Sequence, residues 1–137
     1  MKDWLKTVYS ETSSSKLNKH YKNWANLYDI DMSSWGYAYP LQLNKILTNK
    51  LRLKKTIKIL DAGCGTGYVA EVLSKLNYKN ITGIDFSEEM LTIARSKKRY
   101  KKLMCQSLNE KIELRSKQFE LIICTGVLTS GHVGPSA

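Results

Sequence analysis

The apolar positions of this chain change period once, near residue 57. Before that point Leu17, Tyr21, Trp24, Leu27 and Tyr28 recur at helical spacing and predict one helix. The stretch "DIDMSSWGYAYP" then breaks the pattern with turn formers. Pro40 suits the first turn of a second helix, with Leu43, Ile46, Leu47 and Leu51 as its buried face. Beyond residue 57 short apolar runs alternate with amphipathic ones. "TIKILD" reads as a strand, "GCGTG" as a loop, and "YVAEVLSKL" as a helix with Val69, Val72, Leu73 and Leu76 on one face. "NITGID" is a second strand. Ser87 is placed to cap the helix "EEMLTIARSKK", whose Glu88 and Glu89 favour its positive end. "KLMCQ" is a weaker third strand and "FELIIC" a fourth. Strands alternating with helices predict an α/β fold, a doubly wound, mostly parallel Rossmann-like sheet with right-handed crossovers. The consecutive apolar residues of "LIIC" predict a strand covered on both faces.

Length and composition narrow the class. At 137 residues, with 42% hydrophobic and 25% charged residues, the chain suits one soluble globular domain rather than a disordered one. No apolar run is long enough to span a membrane, and the first residues lack the apolar block of a signal peptide, so a cytoplasmic or nuclear location is expected, cytoplasmic first. Cys64, Cys105 and Cys124 form no C-x-x-C pair, and His20 and His132 are the only histidines, which argues against a zinc site. Cys64 and Cys124 fall at or just beyond strand ends, where a disulfide is one option; reduced thiols fit better. The net charge of +10 permits a nucleic-acid partner, but the basic residues are dispersed apart from "RSKKRYKK" at 95–102, and a lysine-rich surface explains them as well.

The loop "GCGTG" carries the chemistry. Ligands of parallel α/β sheets bind beyond the carboxyl ends of the strands. Gly63, Gly65 and Gly67 remove side chains there and permit backbone angles closed to other residues. Asp85 ends the second strand on the same edge, about 20 residues past the loop, where an acidic residue accepts from ribose hydroxyls. Phe86 follows and is placed either in the core or against a base. The spacing is one residue short of the dinucleotide fingerprint, and no lysine–hydroxyl pair follows as in a P-loop. Asp61 beside the loop would repel a pyrophosphate and suits a cation. A ligand with an ammonium, a ribose and no phosphate fits best, and S-adenosyl-L-methionine has these features. The bland alternatives are a tight strand-to-helix turn for the glycines and a helix cap for Asp85.

"ILDAGCGTG", then "GIDFS", then "FELIICTGVL" resemble the cofactor half of class I S-adenosylmethionine-dependent methyltransferases. "HYKNWANLYDIDMSSWGYAYP" and "CTGVLTSGHVG" resemble more narrowly the methyltransferase-like group named after the Williams-Beuren syndrome region. The resemblance implies that Asp61, Gly63 and Gly65 approach the methionine part of the cofactor, that Asp85 holds the ribose hydroxyls and that Phe86 flanks adenine. It places Ser107 and Leu108 at the adenine edge, where the family often has Asp at the first position, and Thr125 near the methyl group. It divides the chain into an N-terminal helical segment, 1–55, packing on the sheet, and a cofactor-binding half, 56–137.

The reaction expected is direct methyl displacement onto a small-molecule or protein acceptor, with His132 as the candidate base. No N-P-P-Y box or Pro-Cys pair follows the fourth strand, which disfavours methylation of nucleic-acid bases. The family's sheet continues past strand four, so the chain reads as truncated there, with that strand's edge open to a partner or a second copy. A non-catalytic cofactor- or partner-binding module is the alternative. A nicotinamide-dependent oxidoreductase is a third reading, and the loop spacing weighs against it.

Overall fold

The computed structural model describes residues 14–34, 39–51 and 53–127. His132 and the side chains of Leu17 and Tyr21, all singled out above, lie outside the described residues. Four strands, β1 (Ile59–Ala62), β2 (Ile81–Asp85), β3 (Lys102–Cys105) and β4 (Leu121–Cys124), form one sheet in the order β3-β2-β1-β4. Every pairing is parallel. The chain steps outward from β1 to β3, then crosses back to lay β4 on the other side of β1. The change of direction leaves a crevice beyond the carboxyl ends of β1 and β4, the usual ligand position in such sheets.

Two helices precede the sheet, α1 (Ser14–Ser34) and α2 (Tyr39–Lys45), and a π-helical turn (Ile46–Lys50) continues α2. Helices α3 (Tyr68–Lys75) and α4 (Glu88–Ser96) make the first two crossovers, whereas residues 106–120 return to β4 without a helix. The sheet separates two apolar clusters. Ile59, Ile81 and Ile123 face Leu43 and Leu47 from the N-terminal segment and Val69, Val72 and Leu73 from α3. Leu60, Ala62 and Ile84 face Met104, Leu108, Ile112, Leu114 and Phe119. Alternate residues of β1 therefore enter opposite clusters, and the whole strand is buried.

The elements follow local chemistry. Ser87 caps α4 by accepting from the Met90 N–H at 3.3 Å, as its sequence position predicted. Helix α3 ends in a Schellman motif: Asn77 adopts φ 65°, the Tyr78 N–H reaches the Leu73 carbonyl, and both side chains join the first cluster.

Three sequence expectations are corrected. Helix α1 runs through Asp29, Ile30 and Asp31 instead of breaking there. Side-chain bonds hold the polar residues in helix: Asp29 pairs with Lys97 of the segment after α4, and Asp31 accepts from Trp24 Nε1, two turns earlier in α1, at 2.9 Å. On the helix faces, Leu27, Ile46 and Leu51 are exposed while Trp24, Leu43 and Leu47 are buried. Helix α1 meets the domain along α4 alone among the stronger contacts, which leaves Leu27 outside, and Leu51 has already left the helix for extended backbone. Strand β4 is covered on one side only: Ile123 is buried and Ile122 is 63% exposed. It is hydrogen-bonded to β1 and, among the described residues, has no second neighbour.

Candidate functional site

The glycine loop continues β1 around the crevice. The N–H groups of Gly63 and Cys64 both donate to the Ile84 carbonyl, at 2.8 and 2.9 Å, and the Gly67 N–H closes a turn on the Cys64 carbonyl. Asp85, at the end of β2, fastens this loop from the side. Its Oδ2 accepts from the Gly65 N–H at 2.7 Å and its Oδ1 from the Ser87 N–H at 3.0 Å. Burial lifts the Asp85 carboxyl above the ordinary range, and the N–H groups of Ser87, Gly65 and Phe86 pull it back toward the charged form. Each carboxylate oxygen retains a lone pair for a further donor.

Two of the glycines differ sharply in what lies beside them. A Cβ on Gly63 would come within 2.2 Å of Val127 Cγ2, so this glycine is a close-packing position. A Cβ on Gly65, at φ +51°, would meet nothing within 4 Å. Gly65 therefore presents bare backbone to open space, the surface that a close-lying ligand needs.

Asp61 lies on the sheet face shared with Gly83 and Ile123, its register partners. Its side chain is 1% exposed. Oδ2 accepts from the Tyr100 hydroxyl at 2.6 Å, and Oδ1 is buried with no hydrogen-bond partner. Burial, opposed by the Tyr100 bond and reinforced by the charge of Asp85, lifts the carboxyl to about 7. A buried carboxylate oxygen left without a donor is costly unless a polar or charged group completes it. The orphaned Oδ1 and the open backbone at Gly65 together fit a ligand with an ammonium head. Cys64 sits in the same layer, and burial pushes its thiol well above the usual range, which makes it unreactive. Cys64, Cys105 and Cys124 are all free, so the disulfide option is not used.

The remaining predicted residues cluster on the same edge. Phe86 directly follows Asp85 and is half-buried, and Asp85 is paired in register with Cys105, which brings residues 106–108 alongside. The Ser107 hydroxyl accepts from the Asn109 N–H at 3.2 Å. Leu108 turns its side chain into the second apolar cluster, which makes that side chain a packing group. Ala62 pairs with Cys124, so Thr125 lies level with Gly63, at the mouth of the crevice.

Several site residues escaped the sequence reading. Tyr100 lay hidden inside the basic run, yet its ring fills the layer between the Gly67 and Gly83 backbones; a Cβ on Gly83 would lie 2.8 Å from both Tyr100 Cε1 and Cys64 Sγ. Val127 closes on Gly63. Thr66, between two glycines, donates to Asp29 Oδ1 of α1 at 2.5 Å. Asp29 Oδ2 also takes Lys97 Nζ at 2.5 Å, and Lys97 reaches Glu71 Oε1 at 2.7 Å. A polar hydroxyl between two glycines was the one available signal, and it named no partner. Among the described residues no metal-binding group of His, Cys, Asp and Glu exists, and no helix is long and apolar enough to cross a membrane.

Comparison with known proteins gives this geometry its context. The family described as "Methyltransferase domain" matches residues 59–135. Human methyltransferase-like protein 27 is 31% identical over 115 residues, covering 82% of this chain and 47% of that protein. The malonyl-[acyl-carrier protein] O-methyltransferase of Bacillus anthracis is 39% identical over 80 residues, covering 56% of this chain and 29% of that enzyme. The chain thus spans about a third to a half of the length of these relatives. In structure it is similar to DesVI of Streptomyces venezuelae, with a TM-score of 0.58 and 26% identity over 73% of this chain and 42% of DesVI. A parallel sheet with its glycine loop, paired carboxylates and matched domain leads to one assignment: the chain belongs to the family of class I S-adenosylmethionine-dependent methyltransferases.

Proposed function

We propose that this chain binds S-adenosyl-L-methionine across the carboxyl ends of β1 and β2 and serves methyl transfer to a small-molecule or protein acceptor. The carrying observation is the buried, donorless Asp61 Oδ1 beside the open Gly65 backbone. In this reading Asp61 takes the cofactor's ammonium, and Gly63 and Gly65 let its methionine part approach. Asp85 uses its remaining lone pairs for the ribose hydroxyls while its N–H bonds keep the carboxylate aimed. Phe86 flanks adenine, the Ser107 hydroxyl and the Leu108 backbone serve its edge, and Thr125 borders the acceptor side. The bound cofactor supplies a methyl group already activated on a sulfonium, so the protein's task is alignment.

Residues 1–55 act as a helical segment on the cofactor-binding half, 56–137. The finer kinship, with the methyltransferase-like group of the Williams-Beuren region, is part of this proposal and is supported by the likeness to human methyltransferase-like protein 27. The likeness to an O-methyltransferase makes an oxygen acceptor the first class to assay. Three free thiols favour a reducing, cytoplasmic setting.

Calorimetric titration with S-adenosylhomocysteine tests the site. The expected result is micromolar binding, about −8 kcal/mol, by the wild-type chain and its loss in a folded Asp85→Ala variant. A folded wild-type chain that binds nothing overturns the reading.

One observation favours a second role beside the first. The exposed Ile122 lies on a strand that has no second neighbour among the described residues, a surface suited to a partner strand or a second copy of the chain. Light scattering would then show mass rising with concentration, and Ile122→Lys would suppress it.

A further inference from the structure

The glycine loop is held from two sides. Asp85 grips Gly65 from within the sheet, and Asp29 grips the next residue, Thr66, from helix α1. Asp29, on α1, meets the loop at Thr66 and Lys97 just after α4, and Lys97 carries the contact on to Glu71 in the first turn of α3. Of these, only α1 lies outside the unit formed by the sheet and its crossovers. Thr66 is buried, so its hydroxyl has no water to fall back on, and Asp29 is the acceptor that satisfies it. Lys97 is partly buried, and its two carboxylate partners hold its ammonium charged against the cost of that burial.

From this juxtaposition we propose that Asp29 is a positioning residue: acting through Thr66, it locks the glycine loop in the conformation that receives the cofactor and ties docking of helix α1 to that conformation. The inference rests on the cofactor reading of the loop. Gly65 and Gly67, on either side of Thr66, both have left-handed backbone, φ +51° and +92°. Glycines reach many other conformations at little cost, so the loop needs an external restraint to stay in one. The Thr66–Asp29 bond supplies it at the centre of the pair. The coupling is reciprocal: whatever favours the received shape of the loop also favours docked α1.

The test uses the full chain and four variants, Asp29→Ala, Asp29→Asn, Thr66→Val and Thr66→Ser, with two readouts. The first is hydrogen exchange of the unliganded protein. Asp29→Ala and Thr66→Val should speed exchange of the residue 65–68 amides and of α1 together, leaving β1 and β2 protected. Thr66→Ser, which keeps the hydroxyl, should restore wild-type protection. Asp29→Asn keeps an acceptor for Thr66 but loses the Lys97 charge pair, so it should protect the loop more than α1. The second readout is affinity for S-adenosylhomocysteine. Asp29→Ala and Thr66→Val should each weaken it about tenfold, and the double variant should be no weaker than either single one.

Unchanged loop exchange in Asp29→Ala overturns the proposal, as do additive losses in the double variant. Absence of ligand binding by the wild-type chain would remove the cofactor reading alone. The lock would then be judged on exchange, where joint loosening of loop and α1 upholds it and separate loosening refutes it.

Discussion

Asp61 couples stability to pH, and the raised carboxyl of Asp85 acts in the same direction. The folded-state value of Asp61, about 7, lies above the ordinary 3.8, so between those limits the native state holds a proton that the unfolded chain releases. The unfolded state then binds fewer protons, and stability falls as pH rises from about 4 to about 7, with the full cost present above. Asp61→Asn keeps an acceptor for Tyr100 and removes the buried charge. The expected outcome is a variant roughly 2–4 kcal/mol more stable at pH 8, with a shallower pH profile whose remaining slope comes from Asp85, read by urea denaturation at pH 5 and pH 8. Under the proposed cofactor mode the same variant should lose S-adenosylhomocysteine affinity, because the ammonium would lose its counter-charge. Gly65→Ala separates folding from ligand access at the neighbouring position. Nothing obstructs the added methyl, so only the left-handed backbone is penalised, by about 1 kcal/mol, while the methyl enters the space that the proposed cofactor mode gives to ligand. Calorimetry should show a folded protein with binding abolished.

At the scale of elements, strand β2 carries a requirement that periodicity does not show. Gly83 sits where a side chain would collide with Leu103, Cys64 and Tyr100, all within 2.8 Å of the added Cβ. Gly83→Ala should therefore cost about 1–3 kcal/mol and displace Tyr100 from Asp61, lowering the denaturation midpoint and weakening the ligand together. Ser87→Ala removes the cap of α4 and should cost about 1 kcal/mol. Its effect on affinity should be small, because the Ser87 N–H that serves Asp85 belongs to the backbone and survives the change. The contrast between these variants separates elements that build the site from elements that only carry it.

For the whole molecule, ligand binding and folding share one free energy. At a ligand concentration a hundredfold above Kd the native state should gain about 2.7 kcal/mol. For a domain of this size that raises the melting temperature by roughly 9 °C, which thermal denaturation with and without S-adenosylhomocysteine would detect. The rise should be smaller below pH 6, where Asp61 is protonated and the native state has less counter-charge to offer.

Local sequence was enough to determine the order of elements, the parallel class of the sheet, the Ser87 cap, and the glycine loop with Asp61 and Asp85 on one edge. These features depend on spacing and on backbone chemistry within a few residues, so they can be read along the chain. The tertiary structure decided the rest. It placed Tyr100, drawn from a run of cations, against Asp61, and it set Asp29 across 37 residues onto Thr66. It held α1 helical through residues that read as a turn, and it left Ile122 bare where the consecutive apolar run predicted a covered strand. Periodicity reports that a residue prefers a buried or bonded place, but which distant group supplies that place depends on how the elements pack, and no local pattern encodes it.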